Sequence, residues 1–143
     1  MGYGTMPEML LRGRKLYGRL LDEAVQMLRN IDTHAPEELA GAMERRHDCL
    51  LLIREFEDEL AGPPAAGGRG AGRICRQALE EFHVFREATI RSVLEIDSLV
   101  TALARERMNL IRCEMTGLAR AREALAGYGG GGTSPGRILS DAA

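Results

Sequence analysis

Between Arg73 and Ala126 the chain runs for 54 residues with no proline and a single glycine, Gly117. Along it Leu79, Phe82, Phe85, Val93, Ile96, Val100 and Leu103 fall at steps of three or four, or their sums. That spacing lines up one face of an α-helix, and nothing in the stretch interrupts it. At 1.5 Å per residue the segment is a helix of about 80 Å. Beyond Leu103 the seam moves over, and Met108, Ile111, Met115, Leu118 and Leu125 continue on a shifted face. An inserted four-residue step shifts a heptad seam in this way. The expectation is one long helix over about 73–126, not two joined by a bend.

Glycine punctuates the rest. Of 17 glycines, 11 lie in Gly62–Gly72 and Gly127–Gly136. The first cluster, with Pro63 and Pro64, reads as a flexible linker over 62–72, and the second as the start of a mobile tail over 127–143. Upstream, Leu10, Tyr17, Leu21, Ala24, Leu28 and Ile31 mark a helix over about 7–32, flanked by Leu20 and Met27. Pro7 suits its first turn, Thr5 is the expected cap, and Gly13 and Gly18 weaken it. After Asp32-Thr33-His34-Ala35, where Asp32 or Thr33 is expected to cap, Pro36 opens a second helix to about 61. Its stripe is Leu39, Ala42, Met43, Cys49, Leu50, Ile53, Phe56 and Leu60. Two helices of about 25 residues on a short connection form an antiparallel hairpin. No strand pattern occurs. The fold class is therefore all-α, one domain, an antiparallel helical hairpin packed on a third long helix in a coiled-coil-like three-helix bundle.

With 19 basic and 21 acidic residues the net charge is −2, which argues against nucleic-acid binding by bulk charge. The sum is +1 over residues 1–35, −5 over 36–62 and +2 beyond, so the second helix is acidic beside more basic neighbours. No apolar run approaches the roughly 20 residues that span a bilayer. Met1–Pro7 carries no cationic region ahead of an apolar core, so no secretory signal is read and a cytoplasmic location is expected. Cys49, Cys75 and Cys113 are widely spaced and form no CxxC, and His34, His47 and His83 share no ligand spacing with them. Reduced thiols, no metal and no cofactor are expected.

Phosphate-binding and nucleophile motifs are absent: Gly67–Gly72 lacks the Gly-Lys-Ser/Thr ending of a nucleotide loop, and there is no GxSxG. Glu37–Glu38 and Glu80–Glu81 are chain neighbours and diverge on a helix. Arg105–Arg107 and Arg120–Arg122 alternate with acids and have no aromatic to stack bases. Leu28-Arg29-Asn30-Ile31-Asp32, with Leu39 and Arg45–Arg46, resembles the first helix of all-α chorismate mutases. The Arg-to-Ile spacing is one short, Pro36 interrupts the segment, and Lys15 is the only lysine. No enzyme is expected.

What remains is recognition. If the third helix is twice as long as the other two, its later stripe has no intramolecular partner. Val100, Leu103, Met108, Ile111, Met115 and Leu118 are the candidate partner-binding residues, and self-association as a homodimer is one way of covering them. Each such side chain contributes about 1.5–3 kcal/mol when buried. Methionine is common on surfaces that accept varied helices.

The order of elements resembles the FlgN/FliT class of flagellar type III export chaperones. The second helix has the form Leu39-x-x-Ala42-x-x-x-Arg46-x-x-x-Leu50-x-x-Ile53-x-x-Phe56-x-x-x-Leu60, with Arg46 where the family usually has lysine. The long helix carries Asn109-Leu110-Ile111, similar to the family's Asn-x-x-Leu/Ile element. The ending, Tyr128-Gly129 and then Ser134-Pro135-Gly136-Arg137-Ile138-Leu139-Ser140-Asp141, is similar to its Tyr-Gly and hydrophobic-basic tail. The resemblance implies a small cytoplasmic chaperone that holds helical C-terminal segments of hook-associated (hook–filament junction) proteins and delivers them to the export apparatus. Binding would fall on the late third helix. A generic coiled-coil adaptor is the other reading of the same pattern.

Overall fold

Glutamates three residues into the first turns set where the first two helices begin. In the computed structural model, which describes residues 4–62 and 71–130, α1 spans Met6–Asn30, α2 Pro36–Leu60 and α3 Ala71–Gly130. The Thr5 backbone N–H donates to Glu8 Oε2 at 2.8 Å, and the Ala35 N–H to Glu38 Oε2 at 3.3 Å. Both carboxylates also sit at the positive end of a helix dipole. The cap of α2 is thus Ala35, not Asp32 or Thr33. Thr33 instead closes the end of α1, where the Asn30 carbonyl accepts its N–H at 3.1 Å and that of His34 at 2.8 Å.

Cross-helix pairs give the direction of each helix. Arg12 pairs with Glu59, the Tyr17 hydroxyl donates to Glu57 Oε1 at 2.6 Å, and Arg45 Nε lies 3.5 Å from Glu23 Oε2. Positions rising along α1 meet positions falling along α2, so the hairpin is antiparallel. Arg86 Nη1 reaches Glu57 Oε2 at 2.6 Å, and Arg46 grips Asp97 with both guanidinium nitrogens. So α3 runs antiparallel to α2 and parallel to α1. The result is an all-α three-helix bundle.

The bundle lies within the first of two compact units, Met1–Ala104; the second is Arg105–Ala143. Leu10, Tyr17, Leu20, Ala24, Cys49, Ile53, Phe56, Phe82 and Val93 make the core. Phe82 meets Tyr17 and Phe56 edge to face, at centroid distances of 6.1 and 5.6 Å. Those rings close against Gly13, where an added Cβ would lie 2.4 Å from Phe56 Cζ and 2.9 Å from Phe82 Cε2. Gly13 is a weak helix former, and the helix carries that cost because the aromatic pair occupies the space of its missing side chain. Gly18, one and a half turns on, faces open space.

α3 differs from the sequence reading in three details, the first being that it begins at Ala71, inside the linker expected over 62–72. Thr89, a polar residue between Phe82 and Val93, is buried on the core face. The helix also continues through Gly127 and Gly129 to Gly130 instead of ending at Ala126. A helical glycine costs about 1 kcal/mol relative to alanine, which weakens the helix but does not stop it. Proline would stop it, and the next one is Pro135. The linker residues 63–70 and tail residues 131–143 lie outside the described part of the chain.

Candidate functional site: an exposed apolar stripe

Within the second unit the described residues are the α3 segment 105–130, and every residue from 105 to 129 is exposed. Its composition explains how a helix forms there without cover. Seventeen of the 22 residues from 105 to 126 are Ala, Leu, Met, Arg or Glu, the strongest helix formers. Twenty-six residues, at 1.5 Å each, make a helical segment of about 39 Å.

Met108, Ile111, Met115 and Leu118 follow at steps of three, four and three, and Leu125 comes seven residues after Leu118. At 100° per residue the five share an arc of about 100°, one face of the segment. They are 52, 46, 64, 61 and 72% exposed respectively. These exposed apolar side chains form a single stripe that the sequence pattern organises.

The other two predicted residues belong elsewhere. Val100 and Leu103 lie in the first unit and are half-buried, continuing the seam of Phe82, Val93 and Ile96. The residues brought together as one exposed stripe are therefore Met108, Ile111, Met115 and Leu118, joined by Leu125. Arg122, the step between Leu118 and Leu125, falls inside the same arc, and a purely hydrophobic pattern passes over it.

Several polar groups of the bundle are paired between helices. Glu57 accepts from both Tyr17 and Arg86, and Arg86 Nη2 lies 2.8 Å from His83 Nδ1, tying all three helices together. Burial, reinforced by the Glu57 carboxylate, pushes the Tyr17 hydroxyl well above its ordinary range. Arg46 is held more firmly protonated by its hydrogen bonds to Asp97. Of the arginines in the mutase-like segment, Arg45 and Arg46 point to different helices, Arg45 to Glu23 on α1 and Arg46 to Asp97 on α3.

Cys49 is buried and donates to the Leu16 carbonyl at 3.5 Å, Cys75 is half-buried and Cys113 exposed. Burial raises the Cys49 thiol; Arg19 opposes that shift and Glu23 adds to it. Among the described residues no three His, Cys, Asp or Glu side chains converge as a metal site, and no helix is long and apolar enough to cross a membrane. No family model, curated protein or solved structure matches this chain.

Proposed function

We propose that the protein is a helix-binding chaperone whose docking face is Met108, Ile111, Met115 and Leu118, extended by Leu125. One observation carries the reading: a complete helical segment, 105–129, is exposed throughout and yet bears an ordered apolar stripe. A solvated helix of no further use would tolerate polar residues at those steps. An amphipathic helix laid along the stripe would cover anchors at matching steps, with about 1.5–3 kcal/mol available from each fully buried side chain.

The partner we propose is the one the FlgN/FliT resemblance implies, helical C-terminal segments of hook-associated proteins held in the cytoplasm before export. The mechanism is then protective. Segments that pair only after assembly expose apolar stripes beforehand, and a chaperone helix shields them reversibly. No covalent step is involved.

The test is co-purification from the native cell with the intact chain and with Ile111→Glu and Met115→Glu. Recovery of hook-associated proteins by the intact chain alone, with circular dichroism unchanged in the variants, supports the proposal. A different stable partner lost in the same variants retains the docking face and overturns the flagellar assignment. Unfolding of both variants would show the stripe to be core and overturn the whole reading.

A further inference from the structure

Resting on the docking reading above, we infer that the partner helix carries acidic side chains along its apolar stripe, placed to meet Arg122 and Arg112. Arg122 lies inside the arc of Met108, Ile111, Met115, Leu118 and Leu125, and any helix that covers this face covers Arg122 too. Within α3 the positions three and four residues away are Leu118, Ala119, Leu125 and Ala126, so no acid can reach it along the helix. Arg112 borders the stripe and has only Met108, Asn109, Met115 and Thr116 at those steps. Glu114 is the acid on the opposite border. Arg107 also borders the stripe but has an interaction within the chain and is not counted.

A desolvated guanidinium requires a carboxylate or equivalent acceptors, whereas the neighbouring leucines and methionines require only apolar surface. The two needs together describe one occupant, an amphipathic helix with leucine-like anchors and glutamates or aspartates beside them. In a parallel pair of this chain, equivalent core positions face each other, so Arg122 would meet Arg122. An antiparallel second copy centred on Leu118 would bring Glu114 and Glu123 toward Arg122 and Arg112, and the oligomeric state separates that outcome from a distinct acidic partner.

The test uses two synthetic amphipathic helical peptides with identical leucine stripes, one flanked by glutamates and the other by lysines. Binding to the full-length protein is followed by fluorescence anisotropy at low and high salt. Two screened charge pairs, each worth a factor of about two, make the glutamate peptide bind about fourfold more tightly at low salt. The preference should shrink at high salt and invert in the Arg112→Glu/Arg122→Glu variant, with helicity unchanged. Equal binding of both peptides overturns the charge inference and leaves the docking face standing. Binding of neither peptide overturns both. A dimer in light scattering that Ile111→Glu dissociates makes a second copy the occupant and overturns the acidic-partner assignment.

Discussion

Substituting alanine at Gly13 and, separately, at Gly18 places the same change in one helix, in opposite surroundings. At Gly13 the new Cβ would sit 2.4 and 2.8 Å from Phe56 ring atoms and 2.9 Å from Phe82 Cε2. Both rings are fully buried, so neither can swing into solvent. Ordinary contact begins near 3.4 Å, so the Phe56 ring must retreat about 1 Å into a close-packed core. Overpacking costs about 1–3 kcal/mol, and overlap with three ring atoms belongs at the upper end. Alanine's helix preference returns about 1 kcal/mol, leaving a net loss of about 2 kcal/mol. At Gly18 nothing lies within 4 Å of the added Cβ, so the preference stands alone and stabilises by up to about 1 kcal/mol. The variants should therefore separate by about 3 kcal/mol, with thermal midpoints moving in opposite directions by roughly 4 °C per kcal/mol. Circular dichroism at 222 nm during urea and thermal unfolding reads both quantities. A Gly13→Ala midpoint at or above wild type would refute the close approach of Phe56 and Phe82 to the α1 backbone.

Three further outcomes follow from the same packing. Thiol labelling in native buffer should be fastest at exposed Cys113, slower at Cys75 and slowest at buried Cys49, with the order collapsing in denaturant; equal native rates would refute the buried environment of Cys49. Tyr17 binds its proton more tightly folded than unfolded, so its contribution is complete below about pH 10 and is lost as pH rises beyond that. Tyr17→Phe should lower stability at pH 7 by about 1 kcal/mol, through loss of the hydrogen bond to Glu57, and flatten the alkaline decline seen in urea titrations. Leu118→Ala and Leu125→Ala, at exposed positions, should each shift the thermal midpoint by less than about 2 °C, because single substitutions on exposed surfaces are within about 0.5 kcal/mol. A large loss of midpoint would show that these side chains support the core.

Helix existence and order were readable from the chain because an apolar period of three or four, proline at first turns and glycine between segments each act locally. The all-α class and the pairing of α1 with α2 followed from those signals and a five-residue connection. Helix ends were less readable. Gly127 and Gly129 looked like a terminus yet lie within α3, since a glycine's cost can be carried by neighbouring good helix formers. The cap of α2 is Ala35, since Glu38 satisfies its N–H without any help from an Asp32 or Thr33 side chain.

For the candidate site, the sequence alone determined the stripe: Met108, Ile111, Met115 and Leu118 must share a helix face wherever that helix lies. Only the tertiary structure decided which apolar residues of α3 are spent on the bundle. Val100 and Leu103 are half-buried there, and the next four are exposed, because burial depends on what packs opposite and periodicity carries no record of it. Gly13 shows the same division. Its sequence context marks a weak point in a helix, and the fold makes it the one position in α1 where Phe56 and Phe82 can close against bare backbone. Local chemistry sets the elements; the distances between elements, which no local signal encodes, set what each residue is for.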